Sequence, residues 1–136
     1  MDIEFVIGEL AKRTGYSPAM IRYFEKAGVI TPSTRTPAGY RMFGLRQVRE
    51  LRFVREMQKL GFHARQIKVL SDIKSSDFPS SEKSEKISKV FEEHSNYVER
   101  KIAFYTGLRA RLKTAATDFV SLVLGADCQV SDGEGI

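Results

Sequence analysis

Apolar residues recur along this chain with helical spacing, in short runs at first and in one long run later. Ile7, Leu10 and Ala11 fall at i, i+3 and i+4, which predicts a helix over residues 7–13. Thr14-Gly15 is a stop signal. Ser17-Pro18 opens a second helix, with Ser17 at the N-cap and Pro18 at the first helical position, where its missing N–H costs little. That helix runs to about Ala27 and stops at Gly28. Two short helices joined through Gly15-Tyr16-Ser17 have the spacing of a helix-turn-helix. Val29-Ile30-Thr31-Pro32 reads as extended, a basic loop with Arg35 and Pro37 follows, and Ala38-Gly39 gives a turn. Tyr40-Arg41-Met42-Phe43 alternates like a short strand. Paired with residues 31–35 it makes a small hairpin, a wing, which Gly44 ends.

Val48, Leu51, Val54 and Met57, widened by Phe53 and Leu60, bury one face of a helix over residues 46–60. Its other face carries Arg46, Arg49, Arg52 and Arg55, expected to be solvated or paired with Glu50 and Glu56. Gly61 stops it, and Ile67, Leu70 and Ile73 mark another amphipathic helix over residues 64–73. His63 precedes it as a surface turn residue. Residues 74–84 hold five serines and a proline and read as a loop.

The long run follows. Ile87, Phe91, His94, Val98, Lys101, Tyr105, Leu108, Leu112 and Ala115 alternate spacings of three and four, the seam of a coiled coil. A helix of about 35 residues is roughly 50 Å long, too long for one small chain to cover. The expected cover is a second copy, so a homodimer; the alternative is packing on the chain's own N-terminal part. His94 and Lys101 are polar in the seam, where such groups fix register or oligomer state; a pH or ligand role is the alternative for His94. Gly107 either permits close approach of a partner or is neutral. Phe119-Val120-Ser121-Leu122-Val123-Leu124 reads as a short capping segment, and residues 125–136 as an acidic, polar loop. The organisation expected is therefore a mostly α chain. Residues 1–75 are expected to form a helix-turn-helix and wing domain, 82–117 a dimerisation helix, and 118–136 a further segment and tail.

The chain has 136 residues, 42% hydrophobic and 29% charged, as an ordinary globular domain does. One cysteine excludes a disulfide within the chain and fits a reducing compartment. No run approaches the ~20 apolar residues that span a bilayer, and the N-terminus lacks a secretory pattern, so the expected address is the cytoplasm. Charge changes the picture more. Residues 1–70 carry 13 basic and 6 acidic side chains, a net of +7; residues 71–136 carry 9 and 11, a net of −2. The first half suits a polyanion, the alternative being a merely solvated surface. No nucleophile, base and orienting group cluster among the two histidines, one cysteine and scattered carboxylates, so no enzyme is expected.

A recognition helix presents its N-terminal side chains to base edges in the major groove. Here these are Ser17, Ala19 and Met20, a hydroxyl and two apolar groups able to touch a thymine methyl but not to bind guanine bidentately. Arg22, one turn on, is placed to clamp a phosphate, and Tyr23 adds a hydroxyl. The sequence IGELAKRTGYSPAMIRYFEKAGVI, then Arg35, GYRMF and VRELRFVREMQKLGF, resembles the MerR family of bacterial transcription regulators over about residues 5–73.

That resemblance implies a winged helix-turn-helix and an antiparallel coiled coil formed by the long C-terminal helix. Arg35, Tyr40 and Arg41 would be phosphate ligands, with Gly39 allowing the wing turn; for Tyr40 the alternative is half-buried packing. It further implies a homodimer on a near-palindromic double-stranded promoter, shared with RNA polymerase, whose centre it distorts in response to an effector. The alternative is an effector-independent architectural module of the excisionase type. Metal-sensing relatives use two cysteines near the end of the long helix. Cys128 stands at the place of the second, Phe119 near that of the first, and Ser80-Ser81 where a partner thiol would fall. The two-thiolate site is thus not intact within one chain. Three readings of Cys128 stay open: a poorer metal site with Asp127, Asp132 or a partner's His94; a thiol sensor; or an inert thiol. The metal and the effector are unknown at this point.

Overall fold

A computed structural model describes the backbone of residues 3–135 and the side chains of residues 3–125. In chain order the elements are β1 (Glu4–Phe5), α1 (Ile7–Thr14), α2 (Pro18–Lys26), β2 (Thr34–Arg35), β3 (Arg41–Gly44), α3 (Leu45–Lys59), α4 (Ala64–Ser75) and α5 (Ser80–Gly135). The protein is mostly α, with an N-terminal winged helix-turn-helix and a long C-terminal helix. It divides into two units, Met1–Phe91 and Glu92–Ile136. Among the described residues no helix is long and apolar enough to cross a membrane.

The core of the first unit includes apolar side chains that the periodicity singles out in α1, α3 and α4, and Ile21 and Phe24 of α2, which it did not. Leu10 of α1, Ile21 and Phe24 of α2, Leu51 and Val54 of α3 and Ile67 of α4 are essentially sealed from water, together with Phe43 of β3. Each such side chain contributes roughly 1.5–3 kcal/mol of transfer free energy. Between α1 and α2 the chain turns at Gly15, whose φ of 78° is left-handed. Ser17 caps α2 as expected: its Oγ accepts a hydrogen bond from the Met20 N–H at 3.2 Å. The turn is then pinned to α3. Arg55 donates from Nη2 to the Thr14 carbonyl at the end of α1 and lies 4.7 Å over the Tyr16 ring, whose hydroxyl donates to Gln58 Oε1 at 2.6 Å.

The sheet differs from expectation at both edges. Its order is β1-β3-β2, all antiparallel, with Phe5 opposite Phe43 and Arg35 opposite Arg41. Two residues are too short to show a period, which is why β1 escapes sequence reading. Its pairing makes Gly44 part of β3, opposite Glu4, rather than the break in it. The wing hairpin expected over residues 31–35 shrinks to Thr34–Arg35 because earlier backbone donors are spent elsewhere. The Thr31 N–H goes to Glu50 Oε1 at 3.0 Å, Pro32 has none, and the Ser33 N–H goes to Glu25 Oε2 at 2.5 Å. Gln47, buried in the first turn of α3, ties the base of the wing. It accepts from the Gly44 N–H at 2.8 Å and donates to the Thr31 carbonyl at 3.2 Å.

α5 begins within the serine-rich stretch expected to be a loop and continues past residue 117, where a stop was expected. Between Gly107 and Gly125 the sequence holds no glycine or proline, so nothing breaks the backbone ladder there. The apolar segment Phe119 to Leu124 is therefore helix, not a separate cap. At its start, Ile87 and Val90 pack against the core of the first unit, and Phe91 meets Phe62 edge-on at 5.0 Å. The alternative of packing onto the chain's own N-terminal part thus holds for the first turns of the seam. In the second unit His94 is buried and stacks on Tyr97 at 6.1 Å. Further along, Tyr105 and Leu112 are 58% and 61% exposed.

Candidate nucleic-acid interface

Ser17, Ala19 and Met20 stand at the exposed leading turn of α2. The Ser17 hydroxyl already accepts from its own helix, so toward a base edge it retains chiefly its proton to donate. Pro18, Ala19 and Met20 beside it offer only apolar surface. One turn along, Arg22 is exposed, and Tyr23 is 52% exposed with its ring edge-on to Phe24 at 5.6 Å. The fold anchors these outward groups through the inward ones: Ile21 and Phe24 are buried at the alternate positions of the same helix.

The wing brings its residues to the same place. Thr36-Pro37-Ala38-Gly39 is a tight turn with the Gly39 N–H on the Thr36 carbonyl at 2.8 Å. Proline at its second position supplies the required φ. Gly39 has φ 90°, and a Cβ there would meet nothing within 4 Å, so backbone conformation alone favours glycine. Arg35 donates from Nη1 to the Gly39 carbonyl at 2.8 Å, which braces the loop. Tyr40 is 69% exposed at its tip, so half-buried packing is not what places it. Arg22, Arg35, Gly39, Tyr40 and Arg41 line one open pocket of about 240 Å³ between α2 and the wing. The four residues read from sequence as phosphate ligands, Arg22, Arg35, Tyr40 and Arg41, thus line one cavity together with Gly39 of the wing turn.

Arg41 is not a free cation. Its Nε lies 3.1 Å from Glu25 Oε1. Glu25, in the last turn of α2, also accepts from the Ser33 N–H and, at 2.6 Å, the Ser33 hydroxyl. Burial alone would raise this carboxyl's pKa, but the Ser33 hydrogen bonds and the Arg41 charge outweigh it and hold the pKa below the usual glutamate value. Sequence reading assigned Glu25 no role, although an acid within a run of helix and wing cations was the available signal. Glu50 pairs with Arg46 at 3.8 Å, as expected for the α3 arginines, and it also accepts from the Thr31 N–H and hydroxyl, which the sequence did not signal. On the outer face of α3, Arg55 is structural, and Glu56 pairs with Lys59 at 3.1 Å rather than with an arginine. Arg49 and Arg52 are exposed.

Lys101 lies within 5.5–5.9 Å of the ring centres of Tyr97, Phe104 and Tyr105, so aromatic faces partly satisfy its charge. Among the described residues no group of three or more His, Cys, Asp or Glu is placed to hold a metal ion. The Cys128 side chain, with Asp127 and Asp132, lies outside the described residues.

A short helix pair with an outward apolar and cationic second helix, flanked by a basic hairpin, defines a winged helix-turn-helix DNA-binding protein. Comparison with known proteins gives the family. Residues 5–72 match the description "MerR HTH family regulatory protein", and residues 48–115 match "MerR, DNA binding". A similar protein from Rhizobium meliloti, "Heavy metal-dependent transcription regulator 2", is 41% identical over 110 residues, covering 81% of this chain and 73% of that one. Among solved structures, a lead(II)-bound transcription regulator from Ralstonia metallidurans has a TM-score of 0.70 at 19% identity. It covers 79% of this chain and 82% of the other. HiNmlR, a MerR family regulator lacking the sensor domain and bound to promoter DNA, has a TM-score of 0.52 at 19% identity, covering 79% and 94%. This chain belongs to the MerR family: it is a DNA-binding transcription regulator, not an enzyme.

Proposed function

We propose that the protein is a cytoplasmic homodimer that binds a near-palindromic promoter, also engaged by RNA polymerase, and distorts its centre in response to an effector. The observation that carries this reading is the pocket where Arg22, Arg35, Tyr40 and Arg41 converge beside the leading turn of α2. Arg22, Arg35, Tyr40 and Arg41 bind phosphates on this reading, Tyr23 adds a hydroxyl to the DNA backbone, and Ser17, Ala19 and Met20 face the groove. The mostly apolar leading turn favours readout through methyl contacts and DNA deformability over bidentate hydrogen bonds. The second copy is proposed because Tyr97, Val98, Tyr105 and Leu112 leave an apolar face on α5, and pairing of two such faces is the economical cover.

Relatives named for heavy metals favour a metal ion as effector. The chain's single cysteine does not by itself supply both ligands of a two-thiolate site. The effector classes to test are therefore metal ions, thiol-reactive oxidants and small molecules. In transcription from the cognate promoter, one of these should change output; a promoter indifferent to all three would favour the architectural alternative. DNA binding itself is tested by anisotropy titrations of an inverted-repeat duplex between 50 and 200 mM salt, the range over which phosphate-dominated binding falls steeply. Arg22→Ala should weaken binding to every sequence and reduce the salt slope by about 1. A variant with unchanged affinity and slope would reject the assignment.

A further inference from the structure

We infer that Glu25 is a positioning residue of the DNA interface, a carboxylate that sets the recognition helix and the wing in one arrangement by holding Arg41 and Ser33. The inference rests on the reading of α2 and the wing as the DNA-binding surface. Glu25 follows Arg22 by three residues, so the two share a side of α2. It is largely covered, its side chain 13% exposed. Its Oε2 accepts from both donors of Ser33, just before β2, and its Oε1 from Arg41, the first residue of β3. One carboxylate thus joins the residue that leads into β2 to the first residue of β3, the two sides of the wing hairpin. It does so beneath a rim of cations: Arg22, Lys26, Arg35 and Arg41 line the same cavity of about 550 Å³.

A negative charge in that place opposes a polyanion through simple electrostatics. Its favourable contribution is therefore geometric. Arginine has five N–H donors in a fixed fork. With Nε committed to Glu25, the outer edge of the guanidinium is turned in one direction and is pre-ordered for a phosphate. The wing is fixed relative to α2 before DNA arrives, which lowers the ordering cost of binding. Arg41 then acts as an aimed ligand rather than a mobile charge.

The two effects of Glu25 have opposite signs, which makes the idea testable. The probes are a duplex selected from a randomised inverted-repeat library by the wild-type protein, and random fragments of equal length. In Glu25→Gln the amide oxygen still accepts from Ser33, while the negative charge that faces Arg41 is gone. Binding to random fragments should hold or rise, and binding to the selected duplex should fall about tenfold, as for loss of a hydrogen bond to a charged group. Specificity therefore drops, alongside a thermal midpoint lowered by loss of the ionised carboxylate. Arg41→Lys should lose specificity likewise, and the double variant should be no worse than the poorer single one. Ser33→Ala, which leaves both charges in place, should move in the same direction by less. Equal losses on both DNAs, unchanged specificity, or additive losses in the double variant would overturn the proposal. A wild-type protein without preference for any inverted repeat would instead overturn the placing of the interface on α2 and the wing.

Discussion

Glu25 shows how one side chain links folding to recognition. Its pKa lies below the ordinary glutamate value because Ser33 and Arg41 favour the charged form more than burial opposes it. A depressed carboxyl stabilises the native state when ionised. That contribution is complete above the ordinary value of about 4.3 and fades as pH falls through the lower native value. We expect the urea midpoint of the wild type to decline through this acid window more steeply than that of Glu25→Gln. Parallel midpoint curves from pH 6 to pH 3 would show that the carboxylate does not couple to stability. Tyr16 behaves oppositely: burial raises its hydroxyl pKa, against the lowering effect of Arg55, so the hydroxyl that donates to Gln58 stays protonated at neutral pH.

The turn between α1 and α2 is fixed twice, by backbone conformation at Gly15 and by Arg55 from α3. A Cβ at Gly15 would sit 3.1 Å from Arg55 Nη2 in addition to its left-handed φ, whereas at Gly39 it would meet nothing within 4 Å. Both Gly→Ala changes incur the left-handed penalty of about 1–2 kcal/mol. Gly15→Ala should cost more, because it also disturbs the arginine that caps α1. Thermal melts of the two variants check this, and an equal loss would remove Arg55 from the account. These two glycines also show what sequence conveys. Gly15, Ser17-Pro18 and Gly39 signal their turns directly, so α1, α2 and the wing tip were readable, as were the buried faces of α3 and α4. What was not readable depends on partners distant in sequence. β1 exists because β3 pairs with it, Gln47 and Glu50 matter because residue 31 returns to them, and Arg41 is held because Glu25 faces it. Local periodicity carries none of that information. The extent of α5 was misjudged for another reason: serines were read as a loop signal where no backbone breaker followed.

For the molecule as a whole, the division of labour follows charge and apolar surface. The basic N-terminal unit closes its own core, while the second unit keeps its large apolar side chains outward: Ile102, Tyr105 and Leu112 are 58–61% exposed. On the proposed pairing, Leu112→Glu places a charge in the seam and should shift sedimentation toward the monomer at micromolar concentration. Affinity for an inverted repeat should fall with it, because two heads on one rod bind as a linked pair. Retention of the dimer in this variant would relocate the interface. Affinity for a single half-site, which needs only one head, should be little changed.

Residues 119–124 of the helix are apolar except for Ser121, and Phe119, Val120, Leu122, Val123 and Leu124 are 51–72% exposed. On the proposed pairing, a newly synthesised copy carries this bare apolar stretch until it meets another. In that interval chaperones and proteases compete for it, as they do for any chain whose folded form depends on a mate. Under the proposed pairing the surviving pool rises with nearly the square of the synthesis rate when copies are scarce. The same stretch thereby makes the regulator's abundance sensitive to how strongly its own gene is expressed.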